Sequence, residues 1–237
     1  MVNEFTKPLR VSRLQAVAII IASLLLVKVF LAILYQYQCY FPADFNSEFL
    51  SGRQDAFQGA YRAAFYAHII AAPLALIVGL FLLVSGHRTL RCNRYLSAAT
   101  HRWAGRVQAI LVLVVVVPSG LVMACQAFAG AIAGLGLAAL SIATAGCVTL
   151  TIHSVLNGKL QLHRRWATRS CILLGSPLLL RLMSGIVLVM QLEPNTCYRF
   201  NAWFSWLIPL AAYELWRHCC DGAGLVWFSS IKNEALE

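Results

Sequence analysis

Two histidines open two similar basic clusters in this chain. His101-Arg102-Trp103 is followed by Arg106, and 62 residues further along His163-Arg164-Arg165-Trp166 is followed by Arg169. Each cluster sits where a long apolar run begins. Neutral imidazole is a common axial ligand of haem iron, and two histidines from separate helices of a bundle suit the gripping of one b-type haem from opposite sides. The planar guanidinium groups of Arg102, Arg106, Arg164 and Arg169 suit its propionates. A quinone is a further candidate ligand for the same imidazoles. A plainer role competes with both, because His, Arg and Trp at a membrane surface also anchor helices among headgroups.

The remaining polar residues divide by depth. His153 lies one turn from the end of the fourth apolar run, where it is an alternative partner in the imidazole pair. His87 and His218 fall in basic boundary segments, where surface histidines are ordinary. His68 enters from the other side: at about 1.5 Å per residue, the 19 residues from His68 to His87 cover nearly the whole hydrocarbon thickness. No other histidine shares its depth, so two stacked haems would lack an outer ligand and the expectation is one inner haem. His68 then suits a buried hydrogen bond, or a proton or ligand arriving from outside.

Arg181 and Glu214 are ionisable residues within apolar runs, and such residues usually face a bundle interior. Glu214 is placed to pair with Arg169, Arg102 or Arg106. For Arg181 a bound anion, a lipid headgroup or a carbonyl-lined cavity are the candidates. A second functional reading is a small transporter or lipid-interacting protein in which His68, Arg181 and Glu214 line a path. No glycine-rich phosphate loop, nucleophile elbow or carboxylate pair occurs, so soluble-type catalysis has no support.

These side chains need a scaffold, and the composition says which kind. With 60% hydrophobic and 12% charged residues and a mean hydropathy of +0.72, the chain requires lipid as its solvent. The expected fold is all-α, a polytopic transmembrane bundle forming one domain over 1–237, with spans at about 14–35, 63–85, 106–127, 131–154, 170–191 and 202–217. The first run is longer than a signal-peptide core and no small-residue cleavage site follows it, so it is read as retained. Lys28 and Arg181 lie within spans; of the other Lys and Arg only Arg53, Arg62 and Arg199 fall on one side, which puts both termini in the cytoplasm. The net charge of +10 therefore describes a face that meets anionic lipid heads, and it is no argument for nucleic acid.

The eight cysteines show no zinc-ligand spacing, and Cys39 and Cys197 fall on the external side, where an oxidising compartment permits a disulfide. Small residues of the fourth run, including Gly130, Gly134, Ala138 and Ser141, allow close backbone approach and place that helix centrally. Pro73, Pro118, Pro177 and Pro209 predict kinked or locally opened helices.

The order of these elements resembles a known family. A His in the second span, His101-Arg102-Trp103-Ala104-Gly105-Arg106, Pro118-Ser119-Gly120, His163-Arg164-Arg165-Trp166 with Arg169-Ser170, Arg181, and Ala202-Trp203 ahead of Glu214 together resemble the bacterial membrane proteins grouped as domain of unknown function 2306, over roughly 60–216. The resemblance implies a multi-span inner-membrane protein with these polar residues as its signature, and it brings no established reaction. The family often carries Gln after Gly in the second span, where this chain has Gly79-Leu80.

Overall fold

The computed structural model describes residues 13–47, 49–88 and 98–234, with side chains as far as residue 219 apart from those of His87 and Arg88. Lys7, Arg10, Glu48, Arg91 and Arg94 lie outside the described residues, as do the side chains of Cys220 and Lys232. Among the described residues the structure is helical and contains no strand. It divides into two compact units, residues 1–52 and 53–237.

In the first unit, α1 (Arg13–Tyr35) is apolar around its circumference, as a lipid-facing helix is. A 3-10 turn, Gln36–Cys39, follows. Beyond it the chain forms irregular turns: Ser47 Oγ donates to the Asp44 carbonyl, and Tyr40 meets Phe49 edge to face. Cys39 here and Cys197 in the second unit are both free thiols.

The second unit is a helical bundle. It contains α2 (Gly59–Arg88), α3 (Ala98–Ile110), a π-helical stretch Leu111–Val116 leading into α4 (Val117–Ala124), α5 (Ala131–Leu156), α6 (Leu160–Val189) and α7 (Pro194–Glu234). By length and composition, five of the described helices suit a membrane crossing: α1 with its 3-10 turn, α2, the continuous run from α3 to α4, α5 and α6. The helices reach beyond the apolar runs at the basic end, starting at Ala98 instead of 106 and at Leu160 instead of 170. Both basic clusters consequently lie inside helices, and His101 and His163 each occupy the fourth helical position. The cause is elementary: a backbone emerging from lipid still gains by bonding to itself, and Ala, Arg, Gln and Leu favour helix.

Lipid tails are as apolar as the side chains, so packing and hydrogen bonding hold such a bundle together. α5 is central and touches α4, α6 and α7. An added Cβ on Gly134 would lie 2.6 Å from the Ala124 carbonyl oxygen, and one on Gly136 would lie 3.1 Å from that of Ala202, so these glycines let α4 and α7 close on α5. Ser141, Thr144, Thr151 and Ser154 return their hydroxyl protons to carbonyls one turn back, which satisfies them without water. Near the middle of the bundle Cys147, Leu173 and Trp206 form a small apolar core. The π stretch precedes Pro118, whose missing N–H breaks the helical ladder.

Candidate functional site

At the basic end, α3 and α6 each present one imidazole. His163 Nδ1 lies 3.0 Å from the Thr151 carbonyl oxygen of α5. A carbonyl only accepts, so Nδ1 carries a proton, and in the neutral imidazole Nε2 keeps a bare lone pair. His101 Nδ1 lies 3.0 Å from Ser85 Oγ, and that hydroxyl also lies 3.1 Å from the Leu82 carbonyl oxygen. With the hydroxyl proton directed to Leu82 the imidazole donates through Nδ1 and, when neutral, leaves Nε2 bare; with that proton turned to Nδ1 the imidazole accepts. Anchoring of Nδ1–H on a protein acceptor is how ligating histidines are held in one tautomer and orientation. His101 and His163 lie within electrostatic range of one another, and α3 and α6 do not approach closely along their backbones.

The other expected members of this site are dispersed. Arg102 and Arg164 point outward and are exposed, and Arg106 stacks on Trp103, itself 65% exposed, at 5.6 Å. His153 is exposed, and its Nε2 lies 3.2 Å from Asn157 Nδ2 on the same helix, away from the pair. Arg169 turns inward and is committed: its Nε and Nη2 donate to the two Glu214 oxygens at 2.6 and 3.0 Å, and its guanidinium lies over Trp166 at 4.2 Å. Arg217 also reaches Glu214, at 3.2 Å. Glu214 thus finds one of the three arginines expected for it and braces α7 on α6 beside the imidazoles. A hollow lined by Gly158, Lys159, Leu160, Gln161, Leu162 and Arg165 opens on the turn between α5 and α6 and includes neither imidazole.

One residue that sequence reasoning passed over sits a level deeper. Gln108 is buried, its Oε1 has no hydrogen-bond partner, and its Nε2 faces the Cα of Gly79, where an added Cβ would lie 3.2 Å away. Gln108 follows His101 by seven residues, two turns on the same face, so it lies about 10 Å further in. Cys171 follows His163 by eight residues and would touch the same Cβ at 3.1 Å. The signal was available: Gln108 is the one amide in the run Val107–Val117, at helical spacing from a candidate ligand. Leu80 points outward and is 50% exposed, so the departure at that position leaves this interior tier untouched.

His68 makes the buried hydrogen bond foreseen for it. Its Nδ1 lies 3.0 Å from Ser119 Oγ, which also lies within hydrogen-bond distance of the Val115 and Val116 carbonyls of the π stretch. Gly120 lets the ring in, since a Cβ there would stand 3.2 Å from His68 Cε1 and 2.8 Å from Ser141 Oγ. The sequence Pro118-Ser119-Gly120 thereby acquires a physical reading: opened helix, hydrogen-bond partner for His68, and room for its ring.

The family described as predicted membrane protein, DUF2306, matches residues 65–217. The chain belongs to that family. The DUF2306 match runs from Phe65 in α2 to Arg217 in α7 and so contains His68, His101, Gln108, His163, Arg169, Arg181 and Glu214. Comparison with curated proteins and with solved structures finds no match. As a DUF2306 protein with several helices suited to lipid, the chain has the bilayer as its environment. Of the three residues placed on a candidate path, Glu214 is bound to Arg169, which lies twelve residues, or about 18 Å of helix, from Arg181, and His68 is engaged with α4.

Proposed function

We propose that this DUF2306 protein is a six-span protein of the bacterial inner membrane, with its termini and basic end in the cytoplasm, and that it binds one b-type haem between His101 and His163. The observation that carries the reading is that each ring has its Nδ1 held at 3.0 Å by a group of a neighbouring helix, Ser85 Oγ for His101 and the Thr151 carbonyl for His163, an arrangement that suits Nε2 to a ligand. A haem iron needs only two axial donors from protein, and two imidazoles are such a set. Arg169 and Glu214 fix the pitch of α6 behind the pair. Bound there, haem would supply one-electron chemistry, and the chain's part is to hold, orient and desolvate it.

The test is the absorption spectrum of protein purified from haem-replete cells. A Soret band is expected in the wild type and should be lost in His101→Ala and in His163→Ala. A colourless, fully folded preparation overturns the proposal.

A further inference from the structure

At the end of the bundle opposite the imidazole pair, three buried donors have no partner. Asn201 Nδ2, Ser184 Oγ and Ser205 Oγ make no hydrogen bond among the described residues, and Asn201 and Ser205 are 7% and 2% exposed. A donor buried without an acceptor loses its hydration and gains nothing, so such groups are rare in native proteins and call for a partner. Three in one region, all able to donate, call for an acceptor.

Their positions along the helices converge. α6 and α7 form a hairpin and pack together. Arg181 stands eight residues before the end of α6 at Val189, and Asn201 seven residues after the start of α7 at Pro194, so both lie about 11 Å from the turn. Ser184 and Tyr198, five and four residues from the same ends, are level with one another at about 7 Å. Tyr198, Asn201 and Ser205 recur at helical spacing on the inward face of α7, which also carries buried Ala202 and Trp206. The phenol of Tyr198 lies within electrostatic reach of both Arg181 and Arg53, and Tyr61 of α2 within reach of Arg53 and Tyr198. Arg181, Ser184, Tyr198 and Asn201 therefore lie within about one helical turn of one level, and Ser205 lies one turn further in.

We infer that this tier binds an oxyanion, the carboxylate or phosphate group of a ligand, with Arg181 supplying the charge and Asn201, Ser184 and Tyr198 the hydrogen bonds. The planar guanidinium suits such a group in two-pronged contact, and in a low-dielectric interior charge-assisted bonds of this kind are strong. Lipid headgroups and free anions share that chemistry. The inference is independent of the imidazole pair, which lies at the other end of α6.

The experiment is a thermal-unfolding titration of delipidated protein in a neutral maltoside detergent. One arm adds inorganic phosphate or acetate; the other adds phosphatidylglycerol, with phosphatidylcholine as its control. The wild type is expected to show a saturable rise in midpoint in at least one arm. A response to the free anions identifies a soluble ligand, and a response to phosphatidylglycerol alone identifies a headgroup. Asn201→Asp retains the side chain's shape but replaces a donor with negative charge, and should weaken binding by roughly tenfold or more; Arg181→Gln should do the same. Should Arg181→Gln fail to fold, Asn201→Asp and Ser184→Ala carry the comparison. No response of the wild type in either arm, or an equal response in Asn201→Asp, overturns the inference.

Discussion

In the first basic cluster Trp103 follows His101 by two residues and Arg106 by five; in the second Trp166 follows His163 by three and Arg169 by six. One residue on a helix is about 100° of rotation. With the shorter spacing Trp103 and Arg106 fall on the face away from His101, and they stack on each other on the outside of the bundle. With the longer spacing Trp166 shares the face of His163, and Arg169 turns in to grip Glu214 beneath Trp166 and Tyr213. Two clusters of nearly equal composition therefore share one element, an imidazole with Nδ1 held by a neighbouring helix, and differ in everything around it. The second is a structural brace as well as a candidate ligand holder, whereas the first adds only an exposed Arg/Trp stack suited to headgroups.

Register should dominate. Deleting Arg165 gives the second cluster the spacing of the first and turns His163 off the Thr151 carbonyl or Arg169 off Glu214. A loss of roughly 3 kcal/mol or more in a denaturant titration in detergent is expected, with loss of any bound pigment. Next comes the brace itself. Arg169→Ala should cost about 2 kcal/mol, since Glu214 retains Arg217 as a partner, while Arg106→Ala should stay within about 0.5 kcal/mol. Equal effects of the two would break the comparison.

The anchor of the first imidazole can be removed alone. Ser85→Ala should lower stability by about 1 kcal/mol and weaken haem affinity about tenfold or more, because the His101 ring is no longer held. Gln108→Leu sharpens the same point from inside. As a packing residue with an unsatisfied amide, Gln108 should be replaceable with little change in thermal midpoint; as a ligand contact, its loss should shift the spectrum or affinity of the bound pigment.

The smallest effect lies in the turn between α6 and α7. The Glu193 carboxylate caps α7 by accepting from Thr196 and Asn195, and these bonds, chiefly those to Thr196, hold its pKa down at about 2. Its contribution is therefore complete above the ordinary carboxylate range and is lost as pH falls toward about 2. The midpoint difference between wild type and Glu193→Ala should narrow over that window and stay constant at neutral pH.

The helical architecture suited to lipid and the small-residue contacts of α5 could be read from residue type and period, because hydropathy and helical rise are local properties. The pairing of Glu214 with an arginine followed from depth alone. What could not be read was rotation about each helix axis beyond the apolar runs. That rotation sends Arg102, Arg106, Arg164 and His153 outward and Arg169 inward. In spans apolar all round, no hydrophobic stripe marks the inner face. Gln108 and Asn201 escaped notice for a different reason: single neutral amides carry no motif, and their significance arises only from burial without a partner.

The most direct test of the shared pocket is a haem titration of wild type, His101→Ala, His163→Ala and the double variant, followed by absorption. The account predicts a six-coordinate low-spin spectrum that each single substitution abolishes, with the double variant no worse than either, as for two donors acting on one iron. Independent, additive losses from the two substitutions, or saturable binding unaffected by both, would contradict it.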